Sequence, residues 1–92
     1  MIRSFRDKGL KRFVETGDVS RLSVKNTARV ARLRASLEAA RAPEDMDFPG
    51  YRFHALTGDR AGRYAVSASG NWRITFGWEG EDAVNVDLED YH

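Results

Sequence analysis

The sequence predicts an α+β fold: a short N-terminal strand, two helices, then an antiparallel meander of about four strands, with both helices packed on one face of the sheet. Three observations carry this expectation. In the first half apolar residues recur at helical spacing, as in Leu10, Phe13 and Val14 and again in Val30, Leu33, Leu37 and Ala40. From Tyr51 onward the period changes to two. Short glycine-bearing joints, above all Gly70-Asn71, divide the second half into hairpin-sized pieces. Helices followed by strands segregate into two layers around one core.

The elements follow in order. Ile2 to Phe5 alternates apolar and polar residues and reads as the first strand. Asp7 caps the first helix, and Gly17 stands where a left-handed C′ residue would stop it. The second helix is expected to start at Ser23, an N-cap type, and to end at Ala42-Pro43, because proline cannot continue a helix and biases its predecessor away from it. An acidic loop, Glu44 to Gly50, leads to the strands. Phe53 and Ala55 then face one way and Arg52, His54 and Leu56 the other. Tyr64, Val66 and Ala68 alternate with Arg63, Ala65 and Ser67, and Trp72, Ile74, Phe76 and Trp78 alternate with Arg73, Thr75 and Gly77. Val84, Val86 and Leu88 alternate with Asn85, Asp87 and Glu89.

A chain of 92 residues is expected to form one domain, 1–92, with one core. With no cysteine, disulfides and thiolate metal sites are excluded, and a reducing, cytoplasmic compartment fits. No apolar run approaches the roughly 18 residues of a membrane span, and the opening Met1-Ile2-Arg3-Ser4-Phe5 has no apolar signal-peptide core. The net charge of +1 hides a dipolar chain. Residues 1–41 hold 11 Lys/Arg and 4 Asp/Glu, a balance of +7, whereas residues 42–92 hold 4 and 10, a balance of −6. Lys25, Arg29 and Arg32 recur along one face of the second helix. Such a basic half suits contact with nucleic-acid phosphates, although on charge alone a solvated helical face is the simpler reading.

The groups able to do chemistry are few. The two histidines, His54 and His92, lack the spacing of a metal site, so neither a metal nor another cofactor is expected, and there is no phosphate-binding glycine loop or nucleophile elbow. His54, Arg73, Asp90, Tyr91 and His92 remain. These types suit metal-free RNA cleavage, which needs a base for the ribose 2′-OH, an acid for the leaving 5′-oxygen and a cation for the charge building on the phosphate. Histidine and aspartate supply the first two, the arginine fork matches phosphate oxygens, and tyrosine can stack on a base. Each also has an ordinary reading: a strand histidine, a solvated arginine, a loose C-terminus. The residues alone therefore stop at a nuclease or an RNA-binding α+β domain.

Their order carries the reading further. Phe5-Arg6-Asp7-Lys8-Gly9-Leu10, the run from Pro49 to Arg60 (Pro-Gly-Tyr-Arg-Phe-His-Ala-Leu-Thr-Gly-Asp-Arg), Gly70-Asn71-Trp72-Arg73-Ile74-Thr75-Phe76 and the terminal Glu89-Asp90-Tyr91-His92 together resemble HigB-type toxins of the RelE superfamily, in the family's order and over nearly the whole chain. The resemblance implies a RelE-like fold and a type II toxin that cleaves mRNA in the ribosomal A site. It implies a HigA-type antitoxin with a helix-turn-helix domain, through which alone operator DNA would be met. It places catalysis on His54, Arg73, Asp90, Tyr91 and His92. Lys25, Arg29 and Arg32 would then meet ribosomal RNA, with Arg60 and Arg63 as further cations near the substrate. One departure stands out: several relatives carry lysine where this chain has Thr57. That departure supports an alternative, a degenerate or non-catalytic ribosome-binding partner of the antitoxin.

Parity places Arg73 on the sheet face opposite Trp72, Ile74 and Phe76, where mRNA would lie. Asp90 and His92 share the parity of Val84, Val86 and Leu88 but Tyr91 does not, so either a bulge near the strand's end or a turn of the tail is expected.

Overall fold

The computed structural model describes residues 1–90. Two helices, α1 (Lys8–Thr16) and α2 (Thr27–Ala39), precede four strands, β1 (His54–Ala55), β2 (Arg63–Ser69), β3 (Trp72–Glu79) and β4 (Asp82–Asp90). The strands form one antiparallel sheet in the order β1-β2-β3-β4. Single 3-10 turns occupy Pro43–Met46 and Gly58–Arg60.

Helix α1 is bounded as its sequence predicts. The Asp7 carboxylate accepts the Leu10 N–H at 2.7 Å, and Gly17 adopts a left-handed φ of 79° and donates its N–H to the Phe13 carbonyl. The start of α2 differs. Its N-cap is Asn26, whose side-chain oxygen accepts the Arg29 N–H at 3.2 Å, not Ser23. Val24 is buried, and anchoring it keeps residues 23–25 outside the helix. Lys25 therefore precedes α2. The helix also stops earlier than Pro43 requires, because Asp45 accepts the N–H groups of Arg41 and Ala42 at 2.9 and 3.2 Å and draws the chain into the next turn.

The N-terminal segment does not form a continuous strand. It touches β4 in two separate parallel bridges, Ile2–Ala83 and Phe5–Val86. Between them β4 bulges at Asn85, which takes a positive φ of 50° and donates its N–H to Ser4 Oγ at 2.8 Å. The same bulge corrects the predicted parity of β4. Val84 lies opposite Gly77 and Leu88 opposite Ile74, with the register shift between them. Val84 thus joins the face away from the helices, while Val86 and Leu88 enter the core. The irregularity lies upstream of the strand's end, and Asp90, opposite Trp72, keeps the parity of Leu88. Tyr91 and His92 lie outside the described residues.

The core lies between the helices and one sheet face. Leu10, Val30, Leu33 and Leu37 meet Val66, Ala68, Ile74, Phe76, Val86 and Leu88. An aromatic row continues it, with ring centroids 5.8 Å apart for Phe53–Tyr64, 5.8 Å for Tyr64–Phe76 and 6.2 Å for Phe76–Trp78. The other face carries no helix, and its alternate residues form the candidate site.

Candidate functional site

Register sets the open face in rows across the sheet. His54 stands opposite Ala65, which stands opposite Thr75, which stands opposite Asp87. The next row runs Ser67, Arg73, Glu89. Ala65, Ser67 and Gly77 are small, so the floor between the long side chains is low. Gly77 leaves little room: a Cβ there would meet Val84 Cγ2 at 3.3 Å, a tight contact that this side chain would have to ease by a few tenths of an ångström. At the β2–β3 end a groove of about 470 Å³ is lined by His54, Ser67 and Arg73 of the open face, by Arg52, Gly70 and Asn71, and by Val66 and Trp72 of the covered face. The turn beside it is tight because Gly70 supplies a positive φ of 54°. Asp90, opposite the groove-lining Trp72, is exposed.

A carboxylate organises the rest of the face. Glu89 pairs with Arg60 at 2.5 Å and accepts a hydrogen bond from the Thr75 hydroxyl. Arg63 donates to Thr75 Oγ1 at 3.1 Å and to the Asn85 carbonyl at 2.9 Å. Burial pushes the Glu89 carboxyl up, but hydrogen bonds from Arg60 and Thr75 and the charges of Arg60 and Arg73 outweigh it, so the net shift is downward. The bond to Glu89 raises Arg60. Burial, with repulsion from Arg6 and Arg60, lowers Arg63. On this face Arg60, Arg63 and Arg73 surround Glu89, with the Asp87 carboxylate in the neighbouring row.

The residues expected from the sequence separate into three groups. His54 and Arg73 come together in the groove, and Asp90 ends β4 beside it. Arg60 and Arg63 lie on the same face but are tied to Glu89, Thr75 and Asn85. Thr57, exposed, precedes the turn that brings Arg60 to Glu89. The expected basic face of α2 divides. Lys25 and Arg32 are exposed. Arg29 turns inward, giving hydrogen bonds to the Ser67 carbonyl at 3.0 and 3.2 Å and to the Gly50 carbonyl at 2.8 Å, and its guanidinium lies 5.6 Å from the Tyr51 ring centroid. It joins α2 to β2 and to the loop before β1, which the helical pattern alone does not reveal.

Sequence reasoning did not single out Glu89 and Thr75, although both have the parity of Arg73's face. Arg52 was seen to share the parity of His54, but not its contact with that ring: His54 Nδ1 lies 3.1 Å from the Arg52 carbonyl oxygen. Among the described residues no group of three His, Cys, Asp or Glu side chains is placed to hold a metal ion. No helix among them is long and apolar enough to cross a membrane.

Two helices on one face of a four-stranded antiparallel sheet, with an arginine-rich polar face left open, are the architecture of a RelE-like fold. YafQ from E. coli strain BL21(DE3) superimposes with a TM-score of 0.61 at 11% identity, over 94% of this chain and 91% of that one. A YafQ mutant from E. coli gives 0.55 at 12% identity over the same shares. Sequence narrows the class. Residues 3–92 match the family described as the RelE-like toxin of type II toxin–antitoxin system HigB, and the chain belongs to that family. It is 35% identical to Endoribonuclease HigB of Proteus vulgaris over 92 residues, which cover both chains completely.

Proposed function

We propose that the chain stops translation by cutting mRNA in the A site of the ribosome, with the groove between His54 and Arg73 as the cleavage site. The activity, RNA cleavage by a type II toxin, follows from membership of the family and from full-length likeness to a HigB endoribonuclease. The observation that carries the site is that His54 and Arg73, on the uncovered sheet face, line one groove at the β2–β3 end, with Asp90 paired to the groove-lining Trp72.

The chemistry is an internal transesterification. Asp90 or His92 takes the proton of the ribose 2′-OH as the 2′-oxygen attacks phosphorus. The P–O5′ bond breaks, and the 5′-oxygen receives a proton from a second group, His54. A 2′,3′-cyclic phosphate and a 5′-hydroxyl result. Arg73 meets the phosphoryl oxygens with its fork and stabilises the charge that builds there. Tyr91 stacks on or positions a base. These groups balance every proton and charge in the step without a metal ion.

Lys25 and Arg32 contact ribosomal RNA, an interaction that weakens steeply with salt. Arg60 and Arg63 flank the mRNA path, and Arg29 supports the scaffold. The ribosome supplies much of the substrate positioning, which places the toxin in the cytoplasm. A HigA-type antitoxin with a helix-turn-helix domain is its neutralising partner and the route to operator DNA. The decisive experiment presents purified ribosomes programmed with a defined mRNA to the toxin and to its His54→Ala and Arg73→Ala variants. Cleavage by the parent chain and its collapse in both variants is the expected result. Intact cleavage in both would remove the site from this groove.

A further inference from the structure

Two residues ahead of β1 the backbone is strained, and the residue there touches a proposed proton-transfer group. Arg52 takes a left-handed φ of 54°, one of two non-glycine residues with positive φ among the described residues. For a side chain longer than Asn or Asp this conformation is uncommon and persists only where the surroundings impose it. The imposing contacts lie on both sides. Before Arg52, the Gly50 carbonyl is held by Arg29 at 2.8 Å and the Tyr51 carbonyl accepts the Ser67 N–H at 2.7 Å. After it, His54 and Ala55 are registered against Ala65 and Tyr64. Pinned at both ends to β2, the chain bends at Arg52, and the bend brings its carbonyl oxygen to 3.1 Å from His54 Nδ1.

A carbonyl oxygen only accepts, so Nδ1 must carry the hydrogen in this contact. We propose that Arg52 is a positioning residue for His54: its left-handed backbone holds the ring as the Nδ1–H tautomer, so that the proton His54 moves during RNA cleavage moves at Nε2. The ring is otherwise exposed and sits on a strand of two residues. In water such a ring favours the opposite tautomer, with the hydrogen on Nε2. The backbone contact reverses that preference and leaves Nε2 as the nitrogen without a hydrogen in the neutral ring. When the ring is charged, Nε2 carries the proton to be donated, and Nδ1 keeps its bond to the carbonyl through the whole cycle. This assignment rests on the proposed role of His54 in cleavage, but the tautomer is measurable without any activity.

The test uses the full chain made by cell-free synthesis with 15N-histidine. Two-bond proton–nitrogen spectra, taken where the rings are neutral, distinguish the tautomers. With only two histidines in the chain, a His92→Gln spectrum assigns the signals. The expected result is a predominantly Nδ1–H His54 in the parent chain and in Arg52→Asn, since Asn accepts positive φ. Arg52→Val lacks the same charge, but its β-branched side chain rejects that backbone. It is expected to shift His54 toward Nε2–H and to lower kcat on programmed ribosomes about tenfold or more below Arg52→Asn, in line with the usual worth of a placed proton donor. A mainly Nε2–H His54 in the parent chain overturns the proposal whether or not any variant folds. So does an Arg52→Val chain that retains Nδ1–H. If the tautomer is Nδ1–H but His54→Gln cleaves as fast as the parent, the proton-transfer half fails, and the fault lies in the catalytic reading of His54 and not in the ring's geometry.

Discussion

The two faces of the sheet are built from alternate residues of the same strands, yet they are held in unlike ways. The covered face is apolar and continuous: Val66, Ile74, Phe76, Val86 and Leu88 press against Leu10, Val30, Leu33 and Leu37. The open face is polar and connected in pairs, Glu89 with Arg60 and Thr75, Arg63 with Thr75 and Asn85, His54 with the Arg52 carbonyl. Apolar burial is non-directional and sums over area. Paired polar groups are directional, so each sets the position of its neighbour. One face therefore carries stability and the other holds polar groups in fixed positions, although consecutive residues such as Thr75 and Phe76 belong to opposite faces. Single substitutions on the two faces should move different observables.

The largest stability loss is expected at Phe76, fully buried between the Tyr64 and Trp78 rings. Phe76→Ala should cost about 3–5 kcal/mol, read from chemical denaturation. A loss below about 1 kcal/mol would mean that the site collapses freely and the core is not close-packed. Across the sheet, Arg73→Ala should lower single-turnover cleavage by about 10²–10³. Arg73→Lys should restore only part of this, since a point charge replaces a planar fork. If lysine restored the full rate, net charge and not fork geometry would be what the face supplies.

Much of this division is legible in the sequence, because period two and period 3.6 are direct consequences of where side chains point. The parity of Trp72, Ile74 and Phe76 separates Arg73 from the core without any coordinates. What is not legible depends on contacts distant in the chain. Ser23 and Asn26 are both competent caps, and burial of Val24 decides between them. The bulge at Asn85 reverses the face of Val84, and a count of alternation through β4 has no means of seeing it. The expected strand from Tyr51 to Leu56 shrinks to two residues because Arg52 turns left-handed under constraints from α2 and β2. In the candidate site, His54 and Arg73 are found by parity and chemistry together. Glu89 is missed because its importance lies in what it holds, and Arg60 reaches it from 29 residues away.

A contrast within the basic half is expected to be smaller. Arg29 and Arg32 are both arginines of α2, three residues apart. Arg29 serves the scaffold with hydrogen bonds to the Ser67 and Gly50 carbonyls, and Arg29→Ala should cost about 1.5–3 kcal/mol, the range for hydrogen bonds to a charged group. Arg32 is exposed. Arg32→Ala should leave stability within about 0.5 kcal/mol of the parent and should lower the salt slope of ribosome binding by about one phosphate contact. Equal stability losses would erase the distinction between an anchoring and a docking arginine.

The smallest expected effect distinguishes the faces most directly, because only one of them titrates. The Glu89 carboxyl lies below its ordinary value of 4.5 in the folded chain, burial being outweighed by Arg60, Thr75 and Arg73. A carboxyl lowered on folding binds fewer protons in the native state than in the unfolded one. Its stabilisation is therefore complete above the unfolded value and is lost as pH falls through the folded value. The Arg60–Glu89 pair is partly exposed, with side-chain exposures of 36% and 24%, so the contribution at neutral pH should not exceed about 1 kcal/mol. Glu89→Gln should show that deficit near neutrality and converge on the parent in acid, where the parent's carboxyl is protonated too. Phe76→Ala should show the same deficit at both ends of the range, since no titrating group is removed. Parallel pH profiles for the two variants would mean that Glu89 stabilises the sheet by packing rather than by charge, and that the open face is a second core instead of an electrostatic frame for the substrate.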